Sequence, residues 1–241
     1  SSAHRSKRRT PSMRPDRFAL DILLEGPTPV ESSAIFADVW NFIDPHSELH
    51  GQPQQRVTFG LINPPAHPSA TQRPRLRVYS TNPAFSAALA TQLLTTREIV
   101  IGRKPYRIVG QAAVPHLDAE YVDAQTPIII KEAKPNPNNP RRPFTRCVPY
   151  HESFFHERLQ TVMRQKLWDC GFHEKDLPQG PLITMVAGRH KSVPLKERPV
   201  YLFGAVGRWQ LHGSPEVRRC LILSGLGVKT GMGFGFVVPA A

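Results

Sequence analysis

Two stretches concentrate the residue types that move protons and hold anions. In "HSELH", His46 and His50 lie on one polar connector, with Arg56 just beyond. Histidine titrates near neutrality, so either ring can accept or donate a proton, and an arginine nearby is a fixed donor to developing negative charge. The stretch is not the zinc motif HExxH, because Glu48 holds the third place rather than the second. Pro45 and Gly51 oppose a long helix here and no third ligand is evident, so no metal is expected. From the residues alone His50 reads as an ordinary surface histidine, on a connector of the kind that often presents catalytic side chains. His46 reads as a second proton-transfer group or a solvated histidine.

The second stretch is "SGLGVKTGMGFGFVVP", Ser224 to Pro239. Gly225, Gly227, Gly233 and Gly235 surround the pair Lys229-Thr230. A Walker A loop needs a glycine before the lysine and a helix after it. Here Val228 precedes Lys229 and strand-like sequence follows. A dinucleotide fingerprint fails for want of a following βαβ unit, so no nucleotide cofactor is expected. Two readings remain: a concavity of backbone N–H groups that holds an anion beside Lys229, or glycines that permit tight packing between a helix and the last strand.

The charge balance says which anion. Thirty-one Lys and Arg against 19 Asp and Glu give a net +12, an excess that suits a polyphosphate partner, most often nucleic acid. Arg141, Arg142 and Arg146 sit on a loop rich in Pro and Asn, and Arg189 and Lys191 belong to the basic segment "GRHKSVPLKER" with Lys196 and Arg198. All are candidate phosphate contacts. Arg158, Arg164 and Lys166 line the polar side of the clearest helix, where a plain solvated face is the alternative. Residues 1–16 form a basic arm that either clasps a nucleic acid or is a disordered tail. Its basic start lacks the apolar segment of a signal peptide. The 3 cysteines form no CxxC pair and suit a reducing cytoplasm, and no apolar run approaches the roughly eighteen residues of a membrane span.

These residues need elements to hold them. "RFALDILLEG" reads as a strand, "ESSAIFADVWNFI" as a helix capped by Ser32 or Ser33, and "RVTFGLI" and "RLRVYS" as strands. "NPAFSAALATQLLT" is a helix capped by Asn82 with Pro83 in its first turn, and "EIVI" with "YRIVGQAAV" supplies a strand or hairpin. The order βαββαβ is ferredoxin-like. It restarts with a strand at Thr126–Ala133. After an irregular loop come a helix from Glu152 to Gly171, strands "LITMVAG" and "PVYLFGAVGRWQLHG", a short helix capped by Ser214, and the closing strand "GFVVP". The expectation is an α+β chain of two tandem ferredoxin-like domains, residues 17–117 and 126–241, behind the basic arm.

With those elements in place, the sequence resembles the CRISPR-associated endoribonucleases that cut precursor CRISPR RNA, members of the repeat-associated mysterious protein (RAMP) superfamily. "GLGVKTGMGFGFV" is similar to the superfamily's glycine-rich signature, and "SELHGQPQQRVTFGLI", "VYSTNPAFSAALATQLL" and "TPIIIK" are similar to its segments in the right order. The resemblance implies an RNA-filled basic cleft and metal-independent cleavage. The ribose 2′-OH attacks the adjacent phosphate and leaves a 2′,3′-cyclic phosphate, and the enzyme retains its product. By motif position it implies His50 as general acid or base; the family's following basic residue is Arg56, or that position is held by Gln55. The family's tyrosine on the first helix is not matched, since Trp40 stands at that position. The implied partners are CRISPR repeat RNA and other effector subunits. The alternatives are a non-catalytic RNA-binding subunit of the same superfamily and an unrelated basic RNA-binding module.

Overall fold

The computed structural model describes residues 18–27, 35–44, 57–64, 73–139, 141, 143–194 and 201–240. The arm 1–16, the caps Ser32 and Ser33, the candidates His46, His50, Arg56 and Arg142, and the basic Lys196 and Arg198 lie outside these residues.

The first unit is built from β1 (Phe18–Glu25), α1 (Ile35–Ile43), β2 (Val57–Ile62), β3 (Arg75–Ser80), α2 (Pro83–Thr95), β4 (Glu98–Ile101) and β5 (Lys104–Ala113). The sheet order is β2-β3-β1-β5-β4, antiparallel throughout. This is the ferredoxin-like arrangement with β4 added as a hairpin partner of β5. Gly102 and Arg103, both at positive φ (60° and 67°), make the tight hairpin turn. On α1, Val39, Trp40 and Ile43 are buried at helical spacing, and on α2 so are Phe85, Leu89 and Leu93. The Asn82 side chain caps α2 by accepting the Ala84 N–H at 3.0 Å. Both helices cover one sheet face, formed by Ile22, Leu24, Phe59, Leu76 and Val78.

The second unit repeats the plan. Its elements are β6 (Tyr121–Ile128), a ribbon of β7 (Lys131–Lys134) and β8 (Phe144–Cys147), α3 (Ser153–Asp169), β9 (Ile183–Pro194), β10 (Tyr201–Leu211), α4 (Pro215–Ser224) and β11 (Val237–Pro239). The main sheet has the order β11-β6-β10-β9. Ser214 caps α4 through the Val217 N–H, and α3 stops before Gly171, whose φ is +87°. Two local readings change. The run Thr126–Ala133 is not one strand: β6 ends at Ile128 and β7 starts a separate ribbon at Lys131. The loop read as wholly irregular contains β8, paired with β7 in the register Lys131↔Cys147 to Lys134↔Phe144. Each strand of that hairpin is only 4 residues long, too short for a period to announce it.

The two units share a core. The first sheet's second face turns Ala19, Ile62 and Tyr79 against the second unit's cluster around Trp209, Leu221 and Phe236. Gly60 leaves room for the Phe236 ring, which a Cβ there would strike. Within this face Asp21 and Arg77, 1% and 7% exposed, form a two-pronged ion pair at 2.6 and 2.8 Å, and Arg75 adds a contact at 3.2 Å. No described helix is long and apolar enough to cross a membrane, and Cys147, Cys170 and Cys220 are buried free thiols.

Candidate nucleic-acid interface

The glycine-rich loop leaves α4 and turns back into β11 through five left-handed residues: Gly225, Gly227, Lys229, Gly233 and Gly235, with φ of 65°, 81°, 63°, 79° and 64°. Its glycine amides face inward. The N–H of Gly225 donates to the Ile222 carbonyl, that of Gly227 to Met163 Sδ, that of Gly233 to the Thr230 carbonyl and that of Gly235 to the Pro127 carbonyl. A Cβ on Gly227 would sit 2.7 Å from the Ile129 carbonyl oxygen, and one on Gly235 would collide with the Leu226 carbonyl. Of the two readings open from sequence, the packing reading describes the four glycines. The loop's contribution to a ligand is therefore its tip, Val228–Met232, where Lys229 is exposed and Thr230 is buried.

Residues of distant elements hold the loop and its tip. Lys166 on α3 donates its Nζ to the carbonyls of Ser224 (3.0 Å) and Gly225 (2.9 Å), neutralising the negative C-terminal end of α4. The same Nζ lies 3.5 Å from Thr230 Oγ1. From the first unit, Trp40 donates its indole N–H to the Gly231 carbonyl at 2.6 Å while its ring packs edge-on against Phe85. Gly233 rests on Phe59, and Gly225 on Thr58, both of β2. A cleft of about 280 Å³ lies between α3 and the tip, lined by Val162, Lys166 and residues 227–232. Thus the loop touches α1 and β2, the two elements that bracket the connector of His46, His50 and Arg56. That connector leaves the described chain after Asp44 and re-enters it at Val57.

The remaining basic candidates differ in how free their charge is. Arg141 is exposed, with its backbone N–H held by the Asn139 side chain at 3.2 Å. Arg146 is gripped by Glu132 (2.9 Å) and by both oxygens of Glu152 (2.9 and 2.6 Å). The Arg146 guanidinium holds the Glu152 carboxyl below its ordinary range, and Lys134 followed by Arg146 does the same to Glu132. Two carboxylates thus balance Arg146, which leaves it little charge for a phosphate. Arg189 and Lys191 are exposed on β9, an edge strand. Arg164 is bound to Glu174 and to the Gly180 carbonyl, and Arg158 is exposed. Of the aromatic residues, Phe144 is exposed and Trp209 belongs to the core. The sequence marked Lys166 as a surface cation. Its part in holding the loop has no local signal, because its acceptors lie some sixty residues away.

Residues 112–239, just over half of the chain, match the family model "CRISPR associated protein Cas6, C-terminal". Among solved structures, a CRISPR-associated Cas6 protein superimposes with a TM-score of 0.75 at 15% identity, covering 93% of this chain and 100% of the other. A RAMP protein described as binding different RNA substrates gives 0.69 at 20% identity, with 93% and 99% covered. A Cas6-related protein from Pyrococcus furiosus gives 0.67 at 18% identity, with 92% and 97% covered. At these identities the likeness is one of fold, a double ferredoxin-like architecture. Comparison with curated proteins finds no match.

Proposed function

The chain belongs to the CRISPR-associated Cas6 family, and from that premise we propose that it is an endoribonuclease that binds CRISPR repeat RNA, cuts precursor CRISPR RNA within the repeat and retains the product. His50 moves the proton at the reacting centre, assisted by His46, while Arg56 and Lys229 stabilise the phosphorane dianion. The 2′-oxygen bonds to phosphorus, the bond to the 5′-oxygen breaks, and the products carry a 2′,3′-cyclic phosphate and a 5′-hydroxyl. No metal or cofactor takes part in this reading. The observation that carries it is the seating of the Lys229 tip against α1 and β2, the elements that frame the His50 connector.

The test is to incubate labelled repeat RNA with the protein in EDTA and analyse the ends. One cut with a cyclic phosphate is expected, and His50→Ala should slow it by roughly 10²- to 10⁴-fold with binding nearly intact. Full cleavage by that variant would remove His50 from the mechanism. RNA that is tightly bound but never cut supports the second reading, a non-catalytic RNA-binding subunit of an effector complex. One observation favours that reading: Trp40, at the position of the family's tyrosine, is buried, and its N–H is committed to Gly231.

A further inference from the structure

On the second unit's edge strand, four rings meet at the surface. Tyr150 lies 4.4 Å from His190 between ring centroids, His151 lies 5.6 Å from His190, and Phe203 lies 6.1 Å away on its far side. Polar contacts hold them in place: the Tyr150 hydroxyl donates to the Gly188 carbonyl at 3.3 Å, and His190 Nε2 is 3.4 Å from His151 Nδ1. Aromatic rings in contact are ordinarily core, yet both histidines are exposed and Tyr150 is half-buried. Rings that are fixed and still open to solvent are pre-organised for a flat ligand, because little side-chain freedom is left to lose.

We propose that Tyr150 and His190, supported by His151, form a stacking platform for unpaired bases of a single-stranded RNA. The proposal rests on the RNA-binding reading above and adds a second contact zone to it. Two observations choose this occupant. Arg189 and Lys191 neighbour His190 on this exposed edge strand; strand alternation turns their side chains to the opposite face, so they offer phosphate contacts across the strand's rim to a backbone passing over the edge. Phe203 also packs into the small cluster shared with Val228 and Met232 of the glycine loop, so the platform continues from the Lys229 tip. Base stacking tolerates any sequence because every base has a π face, whereas the histidine ring nitrogens offer a donor or acceptor to a base edge.

The test uses the full chain and two fluorescein-labelled strands of equal length and charge, a U12 RNA and a fully abasic ribose-phosphate 12-mer, followed by fluorescence anisotropy. The unaltered protein should prefer U12. The pair Tyr150→Ala and His190→Ala should lose about tenfold in U12 affinity with abasic binding unchanged. His190→Phe, which keeps a ring, should retain the preference. Equal affinity of the unaltered protein for both strands overturns the platform, as does an equal loss on both strands in the paired variant. A cluster that instead serves a protein partner also gives no base dependence. A readout on the unaltered protein stands apart from folding: light-induced crosslinks from a 4-thiouridine U12 should map to Tyr150, His151 or His190, and crosslinks only elsewhere overturn the proposal. Absence of repeat cleavage would sink the endoribonuclease reading alone, since U12 binding does not depend on it.

Discussion

Lys229 carries the loop's exposed charge on a left-handed backbone at φ 63°, where a side chain costs about 1–2 kcal/mol relative to the right-handed region. Stability and binding are therefore opposed at this residue. Lys229→Gly should leave stability unchanged or raise it by up to about 1 kcal/mol, since glycine's greater freedom in the unfolded chain offsets part of the relief. The same change should weaken RNA binding and reduce the slope of log K against log salt by about 0.7–0.9, the loss of one phosphate contact. An unchanged slope would take Lys229 out of the interface. Gly235→Ala has the opposite profile. It combines φ 64° with a collision on the Leu226 carbonyl, so urea unfolding should show a loss of about 3 kcal/mol or more. Gly233→Ala meets the Phe59 ring at 3.3 Å and the Phe59 carbonyl oxygen at 3.5 Å, without a collision, and should cost about 1–2 kcal/mol, mostly for its positive φ. The spacing of these glycines shows in the sequence that the backbone must turn tightly here. That the Gly227 and Gly235 N–H groups serve Met163 and Pro127 rather than an anion does not show, because those acceptors come from other elements.

Helix α1 and the glycine loop are joined by a short hydrogen bond between residues 191 positions apart, Trp40 and Gly231. Trp40→Phe keeps a ring against Phe85 and deletes the N–H, which strands the Gly231 carbonyl. Equilibrium unfolding should register about 1 kcal/mol, and RNA affinity should fall because the Lys229 tip loses an anchor. If the tip is held by α3 alone, affinity will stay where it is. The ribbon β7–β8 gives a contrasting expectation. Arg146→Met should leave the salt slope of RNA binding alone, because Glu132 and Glu152 already balance that charge. How legible these elements were follows from how local their causes are. Asn82-Pro83 and Ser214-Pro215 announce helix starts within two or three residues, and both caps form. Helical spacing likewise identifies the buried stripe Phe155, Leu159, Met163, Leu167. The end of β6 at Ile128 and the Lys166 contacts depend on partners across the fold, which no short window of sequence contains, and the ribbon's strands of 4 residues each are too short to show a period. Of the candidate site, the residue types were legible, and so was the loop. That the loop sits against α1 and β2 came only with the assembled units.

At the scale of the whole molecule, the two units are joined by a face that is apolar at Ala19, Ile62, Tyr79 and Phe236 and charged at Asp21 and Arg77. Removing one partner of a buried pair leaves the other uncompensated, so Asp21→Ala should destabilise by about 3–5 kcal/mol. The phenol of Tyr79 provides a subtler probe of the same face. Burial pushes its pKa up to about 12, against the opposing pull of the Arg77 guanidinium. In the unfolded chain the phenol ionises near 10, so below that pH both states bind the proton and stability is undiminished. Between about 10 and 12 the unfolded state releases its proton while the folded state keeps it. Folding then loses about 1.4 kcal/mol per pH unit, and the loss levels off once the folded phenol also ionises. Tyr79→Phe keeps the ring beside Phe236, whose centroid is 5.4 Å away, and has no proton to lose. Urea unfolding of both proteins at pH 8 and pH 11 should therefore show the native chain falling behind the variant by about 1 kcal/mol at the higher pH. Subtracting one profile from the other removes the lysines and the other tyrosines, which titrate alike in both. Parallel profiles would mean that water reaches Tyr79 and that the face between the units is open. The face would then be too loose to hold β2 against the glycine loop, and the Lys229 tip would lose that support.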